Sequence, residues 1–225
     1  MLSQLQSRLS AELLKRRNTN KLKHYAPYGK QRDFHAAGAH HSERLFMAGN
    51  QLGKTIAGGA ECAMHLTGRY PDWWDGQTFE KPTIMWASGV TGESTRDNPQ
   101  RILVGPPTNE EAWGTGMIPK DALSDWNRAM GVPNLLDNVT VKHGGGGDVQ
   151  QGESVLSFKA YEKGREKWQG PTVDCVWFDE EPPLDIYTEG LTRTNRGQRS
   201  QFTMITFTPL LGMSDVVSLF LLSGE

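Results

Sequence analysis

The stretch that decides the fold is Leu45-Phe46-Met47-Ala48-Gly49-Asn50-Gln51-Leu52-Gly53-Lys54-Thr55. Its first four residues are apolar and predict a short buried strand, whereas residues 55–67 carry apolar side chains at helical spacing and are followed by Gly68. Between strand and helix, residues 48–55 match the pattern G-x-x-x-x-G-K-[ST], with Ala48 at the first glycine position. Glycines let the backbone wrap a phosphate, and the helix N-terminus supplies positive potential. We therefore predict a phosphate-binding loop at residues 48–55.

Each part of this loop has an expected role in nucleotide binding. Lys54 is expected to reach the β- and γ-phosphates, and the Thr55 hydroxyl is expected to coordinate Mg²⁺. The backbone of the preceding residues is expected to surround the phosphates, and these residues are Ala48, Gly49, Asn50, Gln51, Leu52 and Gly53. The pattern therefore favours a protein that binds a nucleoside triphosphate together with Mg²⁺.

A pair of acidic residues follows the most apolar stretch of the chain. Residues 173–178 predict a buried strand that runs directly into Asp179 and Glu180. Because ligands of open α/β sheets bind at the carboxyl ends of strands, Asp179 is expected to hold Mg²⁺ through water, and Glu180 to orient and deprotonate an attacking water. The alternative is a strand that ends in a polar turn, which Pro182 and Pro183 would support. Paired with the loop, the two acids indicate the ATPase branch that carries its water-activating Glu beside the Mg²⁺-binding Asp (the ASCE type).

Two further segments are candidates for contact with the nucleotide. The Gln31 amide can pair with the N6 and N7 edge of adenine and the Tyr28 ring can stack on a base, so we predict an adenine-binding role for them. A surface turn is the alternative. Thr206 and Thr208 end the last predicted strand and would lie beside Glu180 if the strands are neighbours. Their hydroxyls could then sense the γ-phosphate, whereas the alternative is again a simple turn.

The other predicted elements define the fold class. Short apolar strands at 83–87, 173–178 and 201–207 alternate with helices at 55–67, 184–194 and 214–222. This alternation predicts an α/β fold with a mostly parallel central sheet and helices on both faces. Residues 139–141 and 155–158 flank the glycine run from Gly144 to Gly147 and predict a hairpin. A flexible turn explains that run better than a second phosphate loop, because no lysine and helix follow it.

Composition excludes several classes of protein. Of the 225 residues, 36% are apolar, and 25 residues are glycines. This composition is typical of a folded domain rather than a disordered chain. The net charge of −2 argues against a polycationic nucleic-acid coat. Two cysteines, Cys62 and Cys175, are too few for a disulfide framework or a cysteine metal site, so we expect both in the core of a protein from a reducing compartment. No apolar run is long enough for a membrane span, and the N-terminus lacks a signal peptide.

The N-terminal region differs from the rest. Leu2, Leu5, Leu9 and Leu13 have the spacing of an amphipathic helix, which we interpret as a docking helix. A helix lying on a membrane surface is the alternative, because basic residues follow. A basic arm of this kind could meet phosphates or form a solvated face; its basic residues up to position 45 are Arg8, Lys15, Arg16, Arg17, Lys21, Lys23, Lys30, Arg32 and Arg44. We expect an arm at 1–22 and an ATPase domain at 23–225.

These elements, in this order, resemble the ATPase half of a tailed-phage terminase large subunit, the motor that packages DNA. The likeness is strongest to large terminases of short-tailed temperate phages of enteric bacteria. It runs from about residue 20 to the end of the chain, and the stretches that carry it are residues 26–32, 46–54, 65–71, 176–183, 189–195 and 206–210.

The resemblance implies a function for each motif. It implies that Lys54 and Thr55 bind ATP and Mg²⁺, that Asp179 and Glu180 form the Walker B pair, that Gln31 belongs to an adenine-recognising segment, and that residues 206–208 couple hydrolysis to movement. It further implies double-stranded DNA, the portal protein, the small terminase subunit and other copies of this chain as partners, typically in a ring of five. The expected location is the host cytoplasm and, transiently, the procapsid portal, but not the membrane or the mature virion.

The sequence departs from the family in two ways, in the position of its arginines and in its length. Many relatives carry an arginine where this chain has Asn50, and another where it has Gln169, so we expect a different cationic side chain to stabilise the transition state. Arg165, Lys167 and Arg193 are candidates, acting from a neighbouring subunit. Family members also continue into a metal-dependent nuclease, so we expect no DNA cleavage from this chain. Alternative functions are a helicase or DNA-repair ATPase of the same branch, or a catalytically degenerate nucleotide-binding interaction module.

Overall fold

The computed structural model describes residues 2–144, 150–195, 201–209 and 214–222. The glycine run expected to form a hairpin turn therefore lies outside the described residues beyond Gly144. Leu210, in the last stretch of the family resemblance, and the side chains of Leu2, Lys15 and Arg16 are also outside the description.

A seven-stranded sheet forms the centre of the chain. Its strands, in chain order, are β1 Glu43–Met47, β2 Ile84–Gly89, β3 Leu123–Arg128, β4 Leu136–His143, β5 Gly152–Ala160, β6 Cys175–Asp179 and β7 Phe202–Phe207. Their order across the sheet is β1-β7-β6-β2-β5-β4-β3. The first five are mutually parallel, whereas β4 is antiparallel to both β5 and β3. The structure thus confirms the mostly parallel sheet and the β4–β5 hairpin.

Helices cover both faces of the sheet, as the alternating pattern predicts. They are α1 Leu2–Thr19, α2 Gly29–Ala37, α3 Lys54–Thr67, α4 Gly92–Thr95, α5 Arg101–Leu103, α6 Leu184–Arg193 and α7 Asp215–Leu222, with a π-helical segment Arg96–Gln100 between α4 and α5. Short 3-10 turns occupy Leu22–His24, Glu110–Ala112, Tyr161–Lys163 and Arg165–Trp168. Buried side chains form one core that includes α3 and a second one that includes α6 and α7. Helix α2 and strand β3 were not predicted from the sequence.

Helix α3 shows why the deciding stretch folds locally as predicted. Ala60, Ala63 and Met64 are fully buried, as their helical spacing indicates. Ile56, expected on the same face, is partly exposed because it lies in the first turn, beside the loop. The helix ends at Gly68, whose positive φ of 66° is the left-handed conformation that glycine adopts without strain.

The N-terminal helix forms, but its apolar stripe is not covered within this chain. Leu5, Leu9, Leu13 and Leu14 are 57–68% exposed, so α1 does not dock on the described part of its own domain through these residues. A backbone hydrogen bond from Lys120 N to Thr19 O (3.2 Å) connects the end of α1 to the domain. Within the described ranges, no helix combines the length and apolar character needed to cross a bilayer.

Two expectations about individual residues have different outcomes. Cys62 and Cys175 are free and fully buried, as predicted for core cysteines. Arg44, however, was counted with the basic arm, and this assignment is wrong. It is the second residue of β1, where alternation directs its side chain into the core, and it forms a buried ion pair with Glu61 of α3.

Candidate nucleotide-binding site

The predicted phosphate loop joins the end of β1 to the start of α3. Two of its residues have positive φ, Gln51 at 60° and Gly53 at 73°, so the loop turns sharply before the helix begins. The side chain of Lys54 is buried, and its Nζ donates a hydrogen bond to the carbonyl oxygen of Gly49 across the loop (2.7 Å). The loop thus encloses its own lysine at a helix N-terminus, the environment that stabilises bound phosphate.

The loop meets the acidic strand through a single hydrogen bond. The Thr55 hydroxyl donates to Asp179 Oδ1 over 3.0 Å, although 124 positions separate the two residues. Strand β7 lies between β1 and β6 and contributes Thr206, whose hydroxyl donates to the same oxygen over 2.9 Å. The carboxyl ends of three parallel strands therefore converge on one carboxylate, as the sequence predicts for the edge where ligands bind.

Asp179 has an unusual electrostatic environment. It is almost completely buried, and this desolvation raises the pKa of its carboxyl to about 7. Hydrogen bonds from Thr206 and Thr55 lower the pKa, as does the charge of Lys54, but they do not offset burial. A buried carboxylate beside a hydroxyl is a donor set of hard oxygen ligands, and such a set fits Mg²⁺.

Glu180 follows directly and has a strained backbone. Its φ of 75° lies in the left-handed region, which non-glycine residues rarely adopt. Two hydrogen bonds between its backbone and other segments of the same chain stabilise this conformation. Glu180 N donates to Thr206 O (2.9 Å), and Tyr161 Oη donates to Glu180 O (2.7 Å). Strain of this kind is concentrated at functional sites, and Glu180 is a partly exposed residue directly after the strand.

The remaining predicted site residues also lie at the loop. The Thr208 hydroxyl donates to Asn50 Oδ1 (2.9 Å), so the segment after β7 contacts the phosphate loop directly. Gln31 Nε2 donates to Gly53 O (2.9 Å), and Tyr28 Oη donates to Leu52 O (2.7 Å). The structure therefore brings the residues predicted to bind nucleotide and Mg²⁺ to one region, while adenine recognition by Gln31 and Tyr28 remains a prediction.

An apolar groove lies beside these contacts and is large enough for a nucleobase. Its volume is about 700 Å³, and its lining includes Tyr28, Phe34, Ala48 and Leu52. The Gln31 amide is buried against the loop, and both of its polar atoms are hydrogen-bonded. Its Nε2 donates to Gly53 O, and its Oε1 accepts from Tyr28 N (3.2 Å). Gln31 thus holds the loop in this structure.

The two candidate transition-state arginines contact a residue of helix α6, which packs in a different hydrophobic core from the phosphate-loop helix α3. Arg165 Nε and Arg193 Nη2 both contact the buried carboxylate of Glu189 on α6, at 3.0 and 2.8 Å. Lys167 is exposed. Neither arginine contacts Glu180 in this chain, so action on a neighbouring subunit remains a prediction.

A buried polar cluster, which the sequence pattern does not predict, connects α2, β1 and α3. Glu61 pairs with Arg44 and accepts from His35 Nδ1 (2.7 Å), and His65 lies 3.5 Å away. The Arg44 guanidinium is sandwiched between the rings of Phe34 and Phe202, 4.9 and 4.8 Å from their centroids. One signal was available, because a glutamate within the apolar residues of a predicted helix requires a buried partner.

Together, the loop after β1, the buried aspartate at the end of β6 and the five parallel strands define a P-loop NTPase. The sequence also matches the family described as "Terminase large subunit, T4likevirus-type, N-terminal" over residues 45–222. That match spans most of the chain, so the chain belongs to this family of terminase large subunits, as the resemblance indicated.

Individual relatives agree with the family assignment. The chain is 48% identical over 217 residues to the protein named "Terminase, large subunit" of Salmonella phage P22, covering 91% of this chain and 43% of that protein. It is 30% identical over 226 residues to the protein of the same name from Enterobacteria phage LP7, covering 91% and 44%. The chain thus spans less than half the length of these curated relatives.

A solved structure supports the fold independently. The ATPase domain of the large terminase of Thermus phage P74-26 superposes with a TM-score of 0.58 at 18% identity, covering 89% of this chain and 72% of that one. At this identity, the similarity bears on the fold alone.

Proposed function

We propose that this chain is a Mg²⁺-dependent ATPase domain that drives the packaging of double-stranded DNA into phage procapsids. The observation that carries the proposal is the 3.0 Å hydrogen bond between Thr55 of the phosphate loop and Asp179 of the acidic strand end. Family membership supports it further, because the matched relatives are named as terminase large subunits. The proposed partners are double-stranded DNA, the portal protein, the small terminase subunit and other copies of this chain in a ring. The proposed location is the portal of the procapsid in the host cytoplasm.

The chain's own residues divide the proposed chemistry among them. The loop backbone at residues 48–53 and Lys54 hold the phosphates of ATP, and Thr55 and Asp179 hold Mg²⁺. When bound, Mg²⁺ stabilises negative charge on the phosphate oxygens. Glu180 orients the attacking water and accepts its proton, and the groove beside Tyr28 receives the base. Thr206 contacts Asp179, and Thr208 contacts Asn50 of the phosphate loop. Their segment is therefore suited to coupling ATP hydrolysis to movement of the rest of the domain.

Turnover and binding, measured separately, test this function. We expect the wild-type chain to hydrolyse ATP with Mg²⁺ and to be stimulated by duplex DNA. Glu180→Gln is expected to lower turnover by about 10²- to 10⁴-fold, because the general base is lost, while ATP binding is retained. Glu181→Gln, which removes the adjacent carboxylate, is the matched control and is expected to leave turnover unchanged.

The other outcomes identify the alternatives. Stimulation by single strands, or strand unwinding, would favour a helicase or repair ATPase. Binding without turnover, even with DNA, would favour a nucleotide-binding interaction module. If ATP does not bind, the phosphate-loop interpretation is wrong.

A further inference from the structure

Trp177 is a fully buried residue of β6 that lies against the phosphate-loop helix. The indole occupies the space beside Gly58 of α3, where an added Cβ would lie 2.5 Å from the indole Nε1 and Cε2 atoms. Only glycine at position 58 permits this close approach. A movement of α3 is therefore transmitted directly to the indole ring, because close-packed interiors leave no free space between them.

The polar atom of this indole has a specific partner. Trp177 Nε1 donates a hydrogen bond to Thr206 Oγ1 over 2.8 Å. An indole N–H can only donate, so Thr206 Oγ1 must accept it. The single hydrogen of the Thr206 hydroxyl is then directed to Asp179 Oδ1, 2.9 Å away. The chain Trp177–Thr206–Asp179 thus has one possible direction.

Asp179 depends on this hydroxyl for its orientation. Its Oδ1 atom accepts hydrogen bonds from Thr55 and Thr206. Under the proposed function, Thr55 also serves as a metal ligand, whereas Thr206 does not. Thr206 is therefore the donor that can hold the carboxylate while the metal is bound.

We propose that Trp177 is a positioning residue for the metal site: its indole N–H fixes the Thr206 hydroxyl as a donor, and that hydroxyl holds the Asp179 carboxylate in the orientation that binds Mg²⁺. This inference rests on the proposed function of the site. It adds a residue on the face of β6 that packs against α3, so that the position of the phosphate-loop helix and the orientation of Asp179 are mechanically connected.

The first measurement needs neither nucleotide nor metal. In the full 225-residue chain, ¹⁵N-labelled tryptophan gives an indole N–H signal for Trp177, assigned by its loss in Trp177→Phe. Thr206→Val keeps the branched shape but removes the hydroxyl, so we expect this signal to shift and its solvent exchange to accelerate by about two- to tenfold. The signal of Trp86, buried in β2, is expected to stay unchanged. An unchanged Trp177 signal would overturn the proposal.

The second measurement is the Mg²⁺ dependence of binding to a fluorescent ATP analogue. Trp177→Phe and Thr206→Val are each expected to raise the Mg²⁺ concentration at half-saturation by about three- to tenfold, the effect of losing one hydrogen bond. Binding of the analogue without metal is expected to stay unchanged in Trp177→Phe, because the indole is fully buried. The double variant should resemble Thr206→Val alone, because both changes act through one hydroxyl.

Two matched variants separate positioning from packing. Thr206→Ser keeps the hydroxyl and is expected to retain wild-type Mg²⁺ dependence. Trp86→Phe removes a buried indole whose ring contacts Trp168 and the Lys159 ammonium, and it is also expected to resemble the wild type.

The outcomes distinguish this inference from the proposed function. Effects of Trp177→Phe and Thr206→Val that multiply, or an equal effect of Trp86→Phe, would show that only packing is lost and would overturn the inference. Normal wild-type binding with unshifted variants would also overturn it and leave the proposed function intact. A wild-type chain that binds no nucleotide at any Mg²⁺ concentration would overturn both.

Discussion

Asp179 shows how a single residue connects stability with function. Only 3% of its surface is exposed, and burial raises the pKa of its carboxyl from an ordinary 3.8 to about 7. Above that pH the folded protein must keep a poorly solvated negative charge, whereas the unfolded chain solvates the same charge fully. The residue therefore destabilises the metal-free fold at neutral and alkaline pH, and a bound cation would compensate for this.

We predict that Asp179→Asn stabilises the metal-free protein at pH 8. The folded carboxyl has the higher pKa, so its contribution to stability is present below about pH 4 and is lost as the pH rises through 7. A difference of about three pKa units corresponds to roughly 4 kcal/mol. Urea unfolding in the presence of a chelator, from pH 4 to 8, should show the variant more stable at pH 8 and the difference shrinking toward pH 4.

An exposed aspartate provides the control for this pH series. Asp72, in the loop after α3, is solvent-exposed, and Asp72→Asn is expected to change the free energy of unfolding by less than about 0.5 kcal/mol at every pH. A stability gain in Asp179→Asn that does not vary with pH would contradict the burial argument.

At the scale of elements, the buried cluster around Glu61 joins three segments that surround the site. Arg44 belongs to β1, which leads into the phosphate loop, Glu61 belongs to α3, which follows the loop, and His35 belongs to α2. Helix α2 also carries Gln31, which holds Gly53 of the loop. The cluster therefore fixes the relative positions of the loop's two flanking elements and of the helix that braces it.

We predict that Glu61→Gln destabilises the protein by about 3–5 kcal/mol, because it leaves the Arg44 guanidinium buried without a counter-charge. The change is nearly isosteric, so loss of packing does not explain a deficit of that size. Chemical denaturation at pH 7 measures it.

The ion pair between Lys30 and Asp33 is the control for this prediction. Its side chains are 81% and 70% exposed, and Asp33→Asn is expected to cost less than about 1 kcal/mol. Equal losses in Glu61→Gln and Asp33→Asn would contradict a special role for the buried cluster.

The elements also show which features the sequence predicts. The strand, loop and helix at residues 45–67, and the acidic end of β6, follow from local spacing and residue type, and the structure confirms their positions. The predicted burial of the first strand is wrong in part, because β1 is an edge strand and Met47 is 43% exposed. Contacts between distant segments do not follow from local spacing. The pattern around Trp177 predicts a buried apolar strand, but nothing in it identifies Thr206 as the acceptor of the indole N–H. Likewise, the sequence shows only that Arg44 is basic. Its burial depends on Glu61, which belongs to a different element and lies beside it only in the folded chain.

At the scale of the whole molecule, the site occupies one end of the sheet. The phosphate loop follows β1, Asp179 is the last residue of β6, and Thr206 is the second-last residue of β7; these three strands are adjacent at one side of the sheet. The antiparallel strands β3 and β4 extend the sheet on the other side. Helix α1 contributes little to this arrangement, since Leu5, Leu9, Leu13 and Leu14 are exposed, whereas Leu22, three residues after the helix, is only 5% exposed in the core.

We predict that removing residues 2–14 changes the midpoint of thermal unfolding by less than about 2 °C, because none of the side chains described at residues 4–14 belongs to either core. Extending the deletion through residue 24 also removes Leu22, and loss of a buried leucine costs about 2–5 kcal/mol, or roughly 5–15 °C in a domain of this size. Calorimetry of the two truncated chains beside the full one measures both effects. A large loss from the shorter deletion would show that α1 packs on the domain in solution, and equal midpoints for the two deletions would place Leu22 with the arm rather than with the core.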